Sequence, residues 1–245
     1  MVNGPAIELR NVTKDYLTTR ALDDVSLAVN RGEIFGYVGA NGAGKTTTIK
    51  VLAGLIRPTS GTAFVGGYSV ADHPLHVKAR IGYVPESGAI FEKLSPREYL
   101  TVVGDLYKLP SAHAQKRIGE WLDFFGLDGR ADQRMEVFSK GTKQKVCWIA
   151  ALLHEPDVLI LDEPLSGLDV ETIARVKDLM KRMVAEGRTI FYSSHLIDVV
   201  EKICTGLAVL HRGRLIGAGS VDEVRRQSGA ATLEEGLMKL WQEEV

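Results

Sequence analysis

The chain has 245 residues, of which 45% are hydrophobic and 25% are charged, and its 30 basic and 31 acidic residues give a formal net charge of -1. This composition is typical of a globular protein with a full core, built as one large α/β domain or as one domain with an insertion. The balanced charge argues against a dedicated nucleic-acid-binding surface, and we expect neither a signal peptide nor a transmembrane segment. Two cysteines, Cys147 and Cys204, are too few for a disulfide framework and predict reduced core thiols in a cytosolic protein.

The first part of the chain has the hydrophobic patterns of strands around one short helix. Apolar runs predict strands at residues 7–9, 25–29, 34–38, 61–65 and 81–84. The first two of these runs alternate apolar and polar side chains, as half-buried antiparallel strands do. A helix is predicted at residues 47–53, and it ends at Gly54.

Between the third strand and this helix, residues 39–46 (GANGAGKT) fill every fixed position of the phosphate-loop pattern G-x-x-x-x-G-K-[ST]. Glycines lack a Cβ atom, so successive backbone N–H groups can turn inward on a polyphosphate, and the helix N-terminus adds its positive dipole end. We expect Lys45 to reach the β- and γ-phosphates and the Thr46 hydroxyl to bind Mg²⁺. The alternative is a glycine-rich turn that binds nothing, which the flanking strand and helix disfavour. The predicted nucleotide-binding residues here are Gly39, Asn41, Gly42, Ala43, Gly44, Lys45, Thr46 and Thr47.

The pattern becomes helical from about residue 91 to residue 155. A capping box at residues 95–98, with proline at the first helical position, opens the first helix. Two more helices are predicted, one that ends before Gly126 and one that runs from about Gly141 to His154. We therefore expect a helical insertion within an α/β core.

Strand patterns return after this helical segment. The predicted strands lie at residues 158–161, 189–192, 207–210 and 215–217, and the last two form a hairpin. The predicted helices lie at residues 170–185, 196–203 and 233–241, and a capping box at 220–223 opens another.

Two acidic residues follow the apolar strand 158–161, Asp162 at its tip and Glu163 directly after it. An aspartate in this position can hold Mg²⁺ beside Thr46. The adjacent glutamate is placed to accept a proton from an attacking water, which is general-base chemistry. The same pair could cap a helix instead, but the intact phosphate loop favours the catalytic interpretation.

Together these motifs resemble those of the nucleotide-binding subunits of ATP-binding cassette (ABC) transporters, over nearly the whole chain. Residues 138–144 (FSKGTKQ) are similar to the family signature L-S-G-G-Q, and residues 164–169 (PLSGLD) are similar to the segment that runs into the D-loop. His195 resembles the switch histidine of the family, and Tyr16 resembles the aromatic residue that stacks on adenine. A phosphate loop alone fits many NTPases, whereas this ordered set is specific to one family.

The resemblance implies an α/β fold with a P-loop NTPase core. This core is RecA-like, with a mixed sheet, an N-terminal antiparallel β subdomain and an inserted α-helical subdomain. We divide the chain accordingly into four parts. Residues 1–88 are the first part of the ATP-binding core, and residues 89–155 are the helical subdomain with the signature. Residues 156–228 are the second part of the core, and residues 229–245 are a C-terminal helical tail.

The resemblance also implies that two subunits meet head to tail with ATP and Mg²⁺ between them. The phosphate loop, Asp162, Glu163 and His195 then come from one subunit, with Lys45, Glu163 and His195 in catalytic roles. The Ser139 hydroxyl and the Gly141 backbone come from the other subunit and cap the γ-phosphate, since a helix N-terminus is an anion-binding end. His195 would sense the γ-phosphate; without the motif context, a histidine that caps the helix 196–203 is the alternative.

Three residues depart from the family pattern, in two of its motifs. Lys140 and Thr142 replace a glycine and the glutamine of the signature, and Glu86 replaces the glutamine of the Q-loop. A carboxylate at position 86 can still contact Mg²⁺ or the attacking water, so we predict metal contacts for Thr46, Asp162 and Glu86. Both departures resemble one branch of the family, the type-2 exporters.

The implied function is ATP hydrolysis that drives a separate transmembrane permease, in the direction of export. The subunit is then a peripheral protein on the cytoplasmic face of the cell membrane, paired with a second copy or a paralogue and without a nucleic-acid partner. An importer subunit and a non-transport soluble ABC-type ATPase are the alternatives. The apolar segment 88–94 either receives the permease or packs into the core of the helical insertion.

Overall fold

The computed structural model describes residues 4–86, 90–227, 229–230 and 232–243 of the chain. The described strands are, in chain order, β1 (Ile7–Tyr16), β2 (Thr19–Val29), β3 (Ile34–Gly39), β4 (Ser60–Val65), β5 (Tyr68–Ser69), β6 (Ile81–Val84), β7 (Val158–Asp162), β8 (Thr189–Ser193), β9 (Gly206–His211) and β10 (Arg214–Ser220). The described α-helices are α1 (Lys45–Leu52), α2 (Pro74–Lys78), α3 (Pro96–Leu106), α4 (Ser111–Phe124), α5 (Lys140–Leu152), α6 (Val170–Ala185), α7 (Ile197–Ile203), α8 (Val221–Gln227) and α9 (Leu233–Glu243).

These strands form two sheets, as the α/β prediction requires. The smaller sheet is antiparallel and has the order β2-β1-β4-β5. The larger sheet has the order β10-β9-β3-β8-β7-β6, and its strands are parallel except for β10, which runs antiparallel to β9. Because parallel strands end at one edge, the sheet brings the ends of β3, β6, β7 and β8 together. Ligands of open α/β sheets bind beyond this edge.

Two hydrophobic clusters cover the large sheet, one on each face. On β7, Leu159 and Leu161 belong to one cluster, whereas Val158 and Ile160 belong to the other. Successive side chains of a strand point to opposite faces, so a strand covered on both sides is apolar at every position. This explains why β7 appears in the sequence as a continuous apolar run.

The helical insertion α3–α5 is tied to the core through helix α5. Trp148 on this helix is fully buried, and its indole N–H donates a hydrogen bond to the carbonyl oxygen of Pro164, 3.0 Å away. At the other end of α5, the Arg117 guanidinium donates to the carbonyl oxygens of Leu152 and Leu153 at 3.0 and 2.9 Å. These bonds satisfy helix-end carbonyls that have no partner within the helix.

The structure extends or adds several elements relative to the sequence prediction. Strands β1 and β2 are much longer than predicted, because register shifts in β1, as between Leu9 and Val12, break the alternation of buried side chains. Helix α1 begins at Lys45, two residues before its predicted start. Strand β5 and helix α2 were not predicted, because elements this short show no periodicity.

The predicted domain boundaries after residues 88 and 228 lie on or beside residues outside the described part, so this division stays a prediction. Cys147 and Cys204 are both buried and unpaired, as predicted for core thiols, and burial raises the pKa of the Cys147 thiol to about 12. Among the helices that the structure describes, none combines the length and the apolar character needed to cross a membrane.

His154, just after α5, is expected to make the stability of the protein depend on pH. Its ring stacks on Tyr107, with centroids 3.7 Å apart, and its Nε2 lies 2.9 Å from the carbonyl oxygen of Ile81. Burial lowers its pKa to about 4, below the value of about 6.5 in an unfolded chain. Because the unfolded state then binds more protons between these two pH values, stability is present above pH 6.5 and is lost as the pH falls towards 4.

We expect His154 to account for a loss of about 2 kcal/mol of unfolding free energy between pH 7.5 and pH 5. Urea unfolding at both pH values should show this loss in the wild type and a smaller loss in His154→Gln. His113→Gln, which changes an exposed histidine of the same insertion, is the matched control. An equal pH dependence of His154→Gln and the wild type would contradict the prediction.

Candidate functional site

A cleft of about 640 Å³ opens beyond the shared edge of the large sheet. The predicted site residues that line it are Asn41, Gly42, Gly44, Lys45, Thr46, Thr47, Glu86, Asp162, Glu163 and His195. They come from the loop after β3 and the start of α1, and from the ends of β6, β7 and β8. The topology of the sheet thus brings together four segments that are separated by up to about 150 residues in the chain.

The phosphate loop requires glycine where it enters helix α1. Gly44 has a φ of 112°, and a Cβ atom there would lie 2.5 Å from the carbonyl oxygen of Ala21. Both the left-handed backbone and the close approach of β2 exclude other residues at this position. The loop therefore presents its backbone to the cleft while it packs against the small sheet.

Lys45, the first residue of α1, is buried against the loop that precedes it. Its Nζ donates hydrogen bonds to the carbonyl oxygens of Gly39 and Ala40 at 2.6 and 3.1 Å. Burial lowers the pKa of this amine, whereas the nearby carboxylates, Glu163 foremost, favour its charged form. The Lys45 ammonium group is thus held at the phosphate loop, where a site for an anionic ligand requires a positive charge.

Asp162 lies at the end of β7 and is almost completely buried. Burial raises the pKa of its carboxyl group, and the neighbouring Glu86 and Glu163 raise it further, whereas a hydrogen bond from the Thr46 hydroxyl lowers it. The carboxylate and hydroxyl oxygens crowded here are the kind of ligand that a hard cation such as Mg²⁺ prefers. Within the described ranges no group of three acidic, histidine or cysteine side chains is arranged to hold a metal ion.

Glu163 is held in place by the residues after β8. Its backbone N–H donates to the carbonyl oxygen of Ser193 at 3.0 Å, and its φ of 46° is in the left-handed region. One carboxylate oxygen accepts a hydrogen bond from the backbone N–H of His195 at 2.8 Å and lies 2.7 Å from the imidazole Nδ1. The other oxygen accepts a bond from the Ser194 hydroxyl at 3.1 Å. A glutamate oriented by three bonds is a preorganised proton acceptor.

The signature segment lies apart from this cleft. Ser139 is the N-cap of α5, and its exposed hydroxyl accepts a hydrogen bond from the backbone N–H of Thr142 at 3.2 Å. Gly141 packs against the carbonyl oxygen of Gly167, leaving no room for a Cβ atom. The Lys140 ammonium donates to the Ser166 hydroxyl at 3.0 Å. The start of α5 is thus joined to the loop that follows β7.

Comparison with known proteins decides the family. The family model described as ABC transporter matches residues 22–166. A solved structure of an ATP-binding subunit of an ABC transporter is 36% identical, has a TM-score of 0.90, and matches 96% of this chain and 99% of its own. The chain belongs to the ABC transporter family of ATP-binding proteins. The predicted family and the predicted P-loop α/β fold are therefore confirmed.

This ABC protein is also similar to curated proteins of two bacteria. An uncharacterised ABC transporter ATP-binding protein of Nostoc sp. is 40% identical over 206 residues, which cover 83% of this chain but only 61% of that protein. The Nod factor export ATP-binding protein I of Cupriavidus pinatubonensis is 34% identical over 229 residues, which cover 93% of this chain and 70% of that protein.

Several predicted site residues of this ABC protein do not line the cleft. Tyr16 ends β1 with an exposed ring that has the Lys14 ammonium 5.2 Å from its centroid. Ala43 is buried, and its carbonyl oxygen accepts a hydrogen bond from the backbone N–H of Gly213 at 2.9 Å. The remaining predicted residues outside the cleft lining are Gly39, Ser139 and Gly141. The use of the last two by a partner subunit stays a prediction.

One wall of the cleft was not predicted from the sequence. This wall is formed by Thr19, Arg20, Ala21, Arg212 and Gly213, from the start of β2 and from the turn between β9 and β10. The hairpin itself is predicted from the sequence, but no local pattern indicates that its turn packs on the phosphate loop. Only the pairing of β9 with β3 brings it there.

Proposed function

We propose that this chain hydrolyses MgATP at the interface of a head-to-tail dimer and thereby drives a separate membrane permease in the direction of export. The observation that carries the proposal is the division of the predicted site. Lys45, Asp162, Glu163 and His195 line one cleft, whereas Ser139 stands exposed outside it. Ser139 caps the N-terminus of α5, whose first turn contains Lys140 and Lys143. In a head-to-tail dimer, this helix end would bind the nucleotide that the second subunit carries.

The chemistry follows from the positions of these side chains. Thr46, Asp162 and Glu86 are the proposed Mg²⁺ contacts, and the bound ion would supply charge neutralisation for the phosphate oxygens. Lys45 adds a second positive charge at the same end of the cleft. Glu163 accepts the proton of the attacking water, while Ser194 and the backbone of His195 hold its carboxylate in place.

His195 is proposed to sense the terminal phosphate. Its side chain is mostly exposed at the cleft, in contrast to the buried Glu163 that it contacts. When Nδ1–H donates to the Glu163 carboxylate, Nε2 can donate to a phosphate only in the doubly protonated ring. A phosphate bound by this ring would therefore act on the carboxylate that the same ring contacts, which links nucleotide binding to the orientation of the base.

An apolar surface beside the helical insertion is the proposed contact with the permease. Phe91 is exposed and its ring lies 6.3 Å from that of Tyr99, which together with Leu55 and Leu106 lines a groove between the insertion and the core. Ile90 and Leu94 pack against the core instead, and Gly88 and Ala89 lie outside the described residues. An amphipathic segment of a membrane protein fits such a groove.

The proposed export direction is supported by the similarity to the Nod factor export ATP-binding protein. The proposed contact with the permease would place the subunit on the cytoplasmic face of the membrane.

Affinity purification from membranes of the native host tests this proposal. The tagged chain, solubilised in mild detergent, should retain a polytopic membrane protein in stoichiometric amount, whose identity then indicates the cargo. Leu106→Asp, at an exposed leucine that lines the groove, should lose this partner, whereas Leu75→Asp, at an equally exposed leucine outside the groove, should keep it. Recovery of soluble partners alone, or of an importer permease, would contradict the proposal.

A further inference from the structure

The turn between β9 and β10 is fixed firmly at the side of the nucleotide cleft. Gly213 in this turn donates its N–H to the carbonyl oxygen of Ala43 in the phosphate loop at 2.9 Å. Its own carbonyl oxygen accepts a hydrogen bond from the N–H of Asp23 in β2 at 2.8 Å. The turn therefore keeps a constant position relative to whatever the phosphate loop binds.

Arg212 in the same turn is a cation without a partner in the described part of the chain. Its backbone is left-handed, with a φ of 46°, and its side chain lines the cleft without any hydrogen bond or ion pair. The neighbouring arginines are engaged: Arg214 donates to Asp23 at 2.6 Å, and Arg20 pairs with Asp15 and Asp23. Arg212 is thus free to meet a ligand at the cleft.

The sheet order shows which end of a nucleotide Arg212 faces. The phosphate loop follows β3, which lies between β9 and β8 in the sheet order β9-β3-β8-β7-β6. Glu86, Asp162 and Glu163 follow β6 and β7 on one side of it, whereas Arg212 follows β9 on the other. A triphosphate that lies on the phosphate loop with its last phosphate at the carboxylates therefore directs its nucleoside towards Arg212.

We propose that Arg212 is a nucleoside-binding residue of this site and contacts the adenosine of ATP. This inference rests on the proposed ATPase function. A planar guanidinium can stack on a base and donate hydrogen bonds to ribose oxygens. Tyr16, the residue predicted to stack on adenine, does not line the cleft. Arg20 lines it but pairs with Asp15 and Asp23, so Arg212 is the unpaired planar side chain at this end of the described cleft.

Calorimetric titration of the purified chain tests the proposal. In Arg212→Ala we expect the affinities for Mg²⁺-free ATP and for ADP to fall by the same factor, about tenfold. The affinity for inorganic triphosphate, which has no nucleoside, should stay within about twofold of the wild-type value. In ATPase assays KM should rise while kcat stays unchanged, because the reacting end of the nucleotide is untouched.

Two further variants keep this test decisive. Arg214→Ala removes an arginine that pairs with Asp23 outside the cleft and should leave all three affinities unchanged. Arg212→Asn supplies a residue that tolerates the left-handed backbone, so its loss of affinity should match that of the alanine variant even where alanine weakens the fold.

The outcomes separate this inference from the proposed function. A wild-type chain that binds neither ATP nor ADP would refute the proposed function itself. Wild-type binding with unchanged nucleotide affinity in both Arg212 variants would refute only the role of Arg212. An equal loss for triphosphate would assign Arg212 to the phosphates and overturn the contact with adenosine.

Discussion

Replacing Glu163 by glutamine is expected to lower kcat for ATP hydrolysis by roughly 10²–10⁴-fold, because an amide cannot accept the proton of the attacking water. Glutamine keeps the size of the side chain and an acceptor for the backbone N–H of His195, so the cleft should keep its shape. ATP binding should persist, and the variant should accumulate as an ATP-bound dimer. Steady-state phosphate release and size-exclusion chromatography with ATP measure these two effects.

The matched control for this prediction is Glu171→Gln, which neutralises an exposed glutamate at the start of α6 away from the cleft. Its kcat should equal that of the wild type, and it should not form a stable dimer with ATP. Rapid hydrolysis by Glu163→Gln would remove Glu163 from its assigned role. Loss of kcat without dimer accumulation would leave the general base in place but contradict the proposed arrangement of the two subunits.

Replacing Lys45 by alanine is expected to weaken ATP binding roughly 100-fold, because charge-assisted hydrogen bonds to phosphate are lost. The effect is large because Glu86, Asp162 and Glu163 then face an anionic ligand in the same cleft without the cation that opposes them. The loss should be greater for ATP than for inorganic monophosphate, since Lys45 is expected to contact the last two phosphates. Calorimetric titration with each ligand gives the comparison.

Lys50→Ala removes an exposed lysine from the same helix and serves as the control, with the expected affinity unchanged. The midpoint of thermal unfolding should be recorded for both variants, because Lys45 also satisfies the carbonyl oxygens of Gly39 and Ala40. Equal ATP affinity in Lys45→Ala and the wild type, with both proteins folded, would show that the lysine does not bind phosphate.

Features of the molecule are predictable from the sequence to the extent that they depend on neighbouring residues. The phosphate loop and Asp162 with Glu163 each follow a short apolar run, and the structure describes buried strands at both runs. Period-two alternation fails in β1, where register shifts disturb it, and it cannot detect β5, which has only two residues. In the segment 88–94, Ile90 and Leu94 pack inward and Phe91 is exposed, so packing into the core accounts for part of the segment and the permease contact stays a proposal.

The amino-acid sequence by itself determined the family and the segments that carry its nucleotide-binding motifs, because these depend on short runs of neighbouring residues. Only the tertiary structure decided which of these residues share the cleft. It placed Tyr16 outside the cleft and brought Arg212 in from a hairpin turn, since the order of β9 and β3 in the sheet leaves no trace in local periodicity. It also placed Ser139 away from Lys45, because the insertion packs as a unit whose position depends on contacts such as Trp148 with Pro164.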